Sequence, residues 1–255
     1  MRTLAERALL YLRDGPRPPL DIAREVLGLP RATRVVSERL VLALLGADPR
    51  FAFDSQGRWA LRPEPSLARL SVAELPFAVV DVETTGMRAR GDDRVTEVAI
   101  VHVDGGSARL AFESLLDPGV PIPPRITALT GIDDAMVDGA PAFADVADRV
   151  LAALTGRVFV AHNARFDLAF VRAELERAAD VVFRPPILCT VRLARALVPE
   201  LPRRNLDSVI HWFGLSVDHR HRAAGDALVT AEVLRRLLDR AAERGIATWQ
   251  DLSAL

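Results

Sequence analysis

The sequence has no lysine, one cysteine, one tyrosine, and no apolar run long enough to span a bilayer. Each absence excludes something. The lone Cys189 rules out an internal disulfide and leaves no cysteine cluster for structural zinc. That suits a reducing cytoplasm, which is the expected location. A spanning helix needs roughly 18 apolar residues in a row, so no membrane association is expected. The opening stretch MRTLAERALLYLRDG carries Glu6, Arg7, Arg13 and Asp14 through its apolar positions, which is wrong for a secretory signal. All 33 basic residues are arginine. A biased base composition accounts for that more simply than selection for phosphate binding.

Half of the 255 residues are hydrophobic, enough to bury a substantial core. The net charge of −1 hides an asymmetry. Residues 1–63 hold eleven Arg against seven acids, giving +4; residues 64–255 hold twenty-two Arg against twenty-seven acids, giving −5. A basic N-terminal piece points weakly to nucleic acid. The acidic remainder is unexpected for such a partner unless its carboxylates hold metal.

Three helical patterns open the chain. Leu4, Ala5, Ala8, Leu9 and Leu12 fall at helical spacing before Asp14-Gly15-Pro16 breaks the run. LDIAREVLGLP reads as a second helix stopped at Gly28 and Pro30, and residues 31–45 as a third, expected to bury Val36, Leu40, Ala43 and Leu44. Two short β-like runs then flank Ser55-Gln56-Gly57, a hairpin signal. Three helices and a hairpin resemble a small winged helix-turn-helix domain over residues 1–63. A Pro-rich linker is expected over 64–75.

From Phe77 the pattern changes. FAVVDVE, VTEVAIVHVD and ARLAFESLLD read as strands joined by turn signals, and therefore as antiparallel. Helices follow near 142–154, 164–178, 190–197, 205–212 and 224–243, with a strand at 157–162. The fold class is α/β, a mixed sheet flanked by helices over residues 76–245. The tail 246–255 reads as a short helix beginning at Thr248, three residues before Asp251. Gln250 and two leucines there also invite a sliding-clamp peptide reading, which we do not adopt.

The chemistry lies in three places. Asp81 and Glu83 end the first strand of this domain, and period-two alternation puts both carboxylates on one face with Val82 opposite. Two adjacent acids repel each other unless a cation joins them. Thr84-Thr85-Gly86 follows as a tight exit. In AHNARFDLAF, His162 closes a strand and Asp167 falls in the first turns of a helix, while Phe166 and Phe170 are expected in the core. In HRHRAAGDALVTAEVL, His221 precedes Asp226 by five residues, and the helix Asp226 begins is expected to bury Leu228, Val233, Leu234 and Leu237. An acid on such a face is buried and needs a partner. Each element alone has an ordinary explanation: a solvated turn, a helix dipole, a loop histidine.

Taken in order, DVETTG, HNARFD and HRAAGD resemble the three motifs of the DnaQ-like DEDDh 3′→5′ exonuclease superfamily, which includes the proofreading subunit of bacterial DNA polymerase III. ITALTGIDDAMVDGAP and LCTVRLARALVPELPRRNLDSVIHWFGL resemble the stretches between those motifs, so the likeness covers about residues 75–243. The only tyrosine, Tyr11, is far from the third motif, which sets aside the tyrosine-bearing sister class. The resemblance implies an RNase H-like fold and two divalent ions, Mg²⁺ or Mn²⁺, held by Asp81, Glu83, Asp167 and Asp226. It implies His221 as general base, and Thr84, Thr85 and His162 as contacts to the terminal nucleotide. The implied substrate is nucleic acid with a free 3′ end, DNA before RNA, in proofreading or repair, with a polymerase or repair protein as an open partner. Two alternatives remain: a nucleic-acid-binding or regulatory protein with a retired nuclease domain, and an RNA-trimming exoribonuclease.

Overall fold

The structure, a computed structural model, describes residues 3–12, 15–48, 50–54, 56–61, 70–217 and 220–255. They fall into two units, residues 1–66 and 67–255.

The first unit has three helices, α1 (Leu4–Tyr11), α2 (Pro19–Glu25) and α3 (Arg34–Leu45), then an antiparallel pair, β1 (Phe51–Phe53) and β2 (Trp59–Leu61). Thr3 caps α1 in a reciprocal capping box with Glu6. Pro19 sits in the first turn of α2, where a missing N–H costs nothing. Ser55, part of the expected hairpin signal, lies outside the described residues. The core joins Ala8, Leu12, Ile22, Val26, Val41, Leu45, Phe51 and Trp59. One expectation fails here. Helix α3 buries Ser37, Val41 and Leu45, whereas Val36 and Leu40 are exposed and Ala43 lies outward with them. Apolar residues occupy both sides of this helix, so periodicity could not choose the buried one. The small Ser37 lets the helix pack closely, its hydroxyl donating to the Thr33 carbonyl.

In the second unit, β3 (Phe77–Thr84), β4 (Val95–Asp104) and β5 (Ser107–Leu115) form the expected antiparallel meander. Short helices α4 (Pro124–Thr130) and α5 (Asp134–Val137) follow, then α6 (Phe143–Leu154), β6 (Val158–Ala161), α7 (Ala164–Ala179) and β7 (Ile187–Cys189). The chain closes with α8 (Thr190–Leu197), α9 (Leu206–Trp212), α10 (Ala223–Glu243) and α11 (Trp249–Ala254). The sheet runs β5-β4-β3-β6-β7, with β6 parallel to both β3 and β7. Strand β7 and helices α4 and α5 were not read from the sequence; each is too short to show a period.

Both faces of the sheet are covered. Phe77 and Val79 of β3 join the cluster that holds α8, α9 and α10, while Ala78, Val80 and Val82 join the one that holds α6 and α7. Phe170 is fully buried and stacks at 5.0 Å on the partly exposed Phe166. On α10, Val233, Leu234 and Leu237 are buried as expected, but Leu228 is 43% exposed; Ala227 and Val229 take the inward positions. Residues 70–75, within the stretch expected to be a linker, are tied to the tail: Val72 N–H donates to Ala247 O at 2.8 Å and Trp249 N–H to Leu70 O at 3.2 Å. Residues 64–69 of that stretch lie outside the described residues. Thr248 caps α11 through the Asp251 N–H, and Leu252 is buried.

A buried ion pair fixes the segment that leaves β3. Glu174 of α7 is 1% exposed and takes Arg94 in two parallel hydrogen bonds of 2.7 and 2.8 Å. Arg177, one turn on, donates to the carbonyls of Ala89 and Gly91, both at 2.9 Å. Glu174→Ala should therefore destabilise the protein by about 2–4 kcal/mol, somewhat below the full cost of stranding a buried charge because Arg94 keeps partial access to water. A urea midpoint within error of wild type would show the pair to be dispensable.

Candidate active site

Asp81 and Glu83 continue the row begun by Phe77 and Val79, so the same face of β3 is apolar under α10 and acidic at its C-terminal end. The central strand of an α/β sheet commonly offers its carboxyl end to ligand. Strand β6 runs parallel beside it and ends at the same edge, which brings His162 and the first turn of α7 alongside. Asp167 lies in that turn, 4% exposed, and its Oδ1 accepts from Val82 N–H at 3.3 Å. Asp226 comes from the first turns of α10 and is 5% exposed. One carboxylate oxygen from each of Asp81, Glu83 and Asp226 lies within 4.8 Å of the others. Asp167 joins them through its hold on the backbone between Asp81 and Glu83.

Burial and mutual repulsion act on these acids together. Glu83 is pushed up to about 8, first by burial and then by Asp226, Glu97 and Asp167, with Arg220 working against them. Burial lifts Asp167 to about 7. Asp81 is held well above the ordinary carboxylate range by burial, then by Asp167, Glu83 and Asp226. Their donor atoms are all hard oxygens, the set that Mg²⁺ and Mn²⁺ select. A divalent ion fits this site because it supplies the positive charge that the acids lack.

His221 sits at the entrance to α10 with φ of 60°, and its N–H donates to Asp226 Oδ2 at 3.2 Å. His219, the other histidine of this stretch, lies outside the described residues. Arg220 pairs with Asp226 and, at 2.7 Å, with Asp207. Thr84 and Thr85 are buried and have intramolecular partners: Thr84 Oγ1 donates to Gly86 O at 2.6 Å, and Thr85 Oγ1 accepts from Arg94 N–H at 2.9 Å. A Cβ at Gly86 would meet the Asp93 carboxylate at 2.5 Å, so a side chain there would displace Asp93 from the Arg88 N–H it accepts. His162 has both ring nitrogens occupied, by Thr190 Oγ1 and Arg204 O, each at 2.9 Å. A carbonyl only accepts, so Nε2 carries the proton; burial also pushes this ring's pKa down.

Sequence reasoning passed over Glu97, Arg220 and Arg222. Glu97 lies on β4 directly across from Glu83 and is 6% exposed. An acid inside the apolar strand VTEVAIV was the available signal.

The comparisons agree with this geometry. The exonuclease family model, RNase T, matches residues 78–234. A DNA polymerase III subunit epsilon-like protein of Rhodobacter capsulatus is 38% identical over 203 residues, covering 78% of this chain and 28% of the relative. A protein of Bacillus subtilis named 3′-5′ exonuclease DinG is 35% identical over 179 residues, 70% of this chain and 19% of the relative. This chain thus spans less than a third of the length of these two relatives. Among solved structures, exonuclease X in complex with 5′ overhanging duplex DNA is 28% identical with a TM-score of 0.52, covering 70% of this chain and 97% of that one.

Raised carboxyls make a pH test. An acid whose folded pKa exceeds its unfolded value of about 4 holds its proton longer in the folded state. The stability this gives is complete below about pH 4 and is lost as pH rises through the folded values near 7 and 8. With chelator present, melting temperature should fall between pH 5 and 8.5, and Glu83→Gln should flatten part of the slope. Excess Mg²⁺ should raise the melting temperature most at the alkaline end. A slope identical in wild type and Glu83→Gln would contradict the assignment of strain to this cluster. The motifs, the sheet with its clustered acids and the family match together place the chain in the exonuclease family, the DnaQ-like DEDDh hydrolases of phosphodiester bonds.

Proposed function

We propose that the protein is a 3′→5′ exonuclease that releases mononucleotides from DNA 3′ ends, in a proofreading or repair role. The convergence of Asp81, Glu83 and Asp226 on one point, with Asp167 locked to the strand between the first two, is the observation that carries this reading. The duplex DNA bound by the exonuclease X relative favours DNA over RNA. Within the proposal, Asp81, Glu83, Asp167 and Asp226 hold two divalent ions, Mg²⁺ or Mn²⁺. Those ions would supply a water-derived nucleophile at neutral pH and charge stabilisation at the leaving 3′-oxygen. His221 takes the proton from the attacking water as general base, and its backbone N–H bond to Asp226 keeps the residue beside that acid. Thr84 and Thr85 shape the turn against which the terminal nucleotide rests. His162 acts from behind, holding the 199–205 segment and the start of α8 in place.

Activity should require Mg²⁺ or Mn²⁺ and vanish in EDTA. Linear end-labelled DNA should be degraded while a closed circular single strand survives; cutting of circles at a comparable rate would indicate an endonuclease. RNA degraded faster than DNA would redirect the reading to RNA trimming. His221→Ala should slow chemistry by about 10²–10⁴-fold with metal affinity nearly unchanged, whereas Asp226→Asn should weaken metal binding itself. His219→Ala is the mild control, and a reversal of the two histidine phenotypes would overturn the base assignment.

For the first unit we propose a winged helix-turn-helix-like domain that contacts DNA phosphates, supported by the charge of +4 over residues 1–63, by Arg34 at the start of α3 and by Arg31 three residues before it. The same helix also exposes Val35, Val36, Leu40 and Leu42, a face better suited to protein. A chain shortened to residues 67–255 should therefore show a raised KM on long duplexes and an unchanged kcat on a short oligonucleotide. The difference should shrink as salt rises. Equal KM values at low salt would favour the protein-docking reading.

A further inference from the structure

Helix α10 starts in an unusual way. Its N-cap is Arg222, a side chain with five donors and no acceptor, and it makes no side-chain capping bond. The first-turn N–H groups of a helix require acceptors, normally from Ser, Thr, Asp or Asn at that position. Glu97 supplies one from another strand. Its Oε2 accepts from Ala223 N–H at 2.8 Å. The same carboxylate takes Arg222 Nη2 at 2.6 Å and Nε at 3.1 Å to each oxygen. Asp226 N–H in turn donates to Arg222 O at 3.0 Å, so the residue that Glu97 grips is the one on which the Asp226 turn is built.

We propose that Glu97 is a positioning residue of the active site: it replaces the missing N-cap of α10 and anchors Arg222, so that Asp226 and His221 are held facing Asp81 and Glu83. The inference rests on the reading of Asp226 as a metal ligand and His221 as the base. Glu97 itself is not a metal ligand in this scheme: it lies outside the group of acids whose oxygens come within 4.8 Å of one another, and its carboxylate faces Arg222 and the Ala223 N–H. Glu83, opposite it on β3, has no such partner among the described residues, and one of its oxygens lies in the acid cluster.

The test uses the full chain with Glu97→Gln, Glu97→Ala and Arg222→Ala. Three quantities are read: Mn²⁺ affinity by electron paramagnetic resonance titration, kcat and KM on a short single-stranded oligonucleotide, and the folded fraction at assay temperature. Loss of a group that orients a metal ligand typically costs 10–100-fold in metal affinity or activity. Glu97→Ala should lower Mn²⁺ affinity and kcat by about 10-fold or more, with KM within about 2-fold. Arg222→Ala should follow it. Glu97→Gln is the same shape and can still accept from Ala223, so it should fold and lose less than Glu97→Ala. A merely structural Glu97 would lower the melting temperature and leave Mn²⁺ affinity and kcat per folded molecule at wild-type values in both Glu97 variants, which would overturn the proposal. Should wild-type protein itself take up no Mn²⁺, the metal-site reading fails first and this inference falls with it.

Discussion

Everything in the second unit is arranged around a repulsion. Four carboxylates converge at one end of the sheet, three of them with oxygens within 4.8 Å of one another, and with Asp167 and Asp226 buried and Asp81 and Glu83 half-buried little water is left to screen them. No packing preference produces such a cluster. The folded chain meets it by raising the proton affinity of Asp81, Glu83 and Asp167 and by setting Arg220 against Asp226. A site that is unfavourable for its own charges is favourable for added positive charge. Strain here is therefore what suits the site to a divalent cation, as proposed above.

The fold delivers these acids economically. One strand supplies two of them because its period of two matches the spacing of Asp81 and Glu83, and because its C-terminal end projects past the apolar row of Phe77 and Val79. The other two come from helices that approach the same edge from opposite faces of the sheet, α7 from one cluster and α10 from the other. The aligned ends of β3 and β6 make this possible. Each helix meets the site with its N-terminal turns, where the dipole favours negative charge.

Much of this was legible in the sequence, and the reason is locality. Asp81 with Glu83, His162 through Asp167, and His221 with Asp226 each sit inside a short stretch whose periodicity declares strand or helix. Their order along the chain carried the rest. What could not be read was long-range. Glu97 and Arg222 are 125 residues apart, and neither belongs to a pattern that names the other. Arg94 and Glu174 are 80 apart and equally silent. Helix α3 failed for a different reason: with apolar residues on both sides, its buried face was decided by tertiary packing against α1 and α2. Residues 70–75 looked like part of a linker because the stretch is rich in proline and small residues, yet backbone bonds to 247–249 give them an ordered place.

The unread pairs share a logic that connects to the missing lysines. Every segment that brings an acid to the site is tied down behind it by an arginine–carboxylate contact: Arg94 with Glu174 for the exit of β3 and for α7, Arg222 with Glu97 for α10, and Arg220 with Asp207 beside Asp226. A guanidinium donates in a fixed plane to two oxygens, where an ammonium acts as a point charge on a flexible stem. Such contacts fix orientation as well as distance, and orientation is what ligands to a small divalent ion require. Glu174 and Glu97 thus differ from Asp81 and Glu83 not in chemistry but in supply. The acids behind the site are matched with guanidinium and backbone donors, while Asp81 and Glu83 are left short of positive charge and Asp226 alone of the cluster has an arginine, Arg220. That contrast separates the residues that hold the site from the residues that are the site.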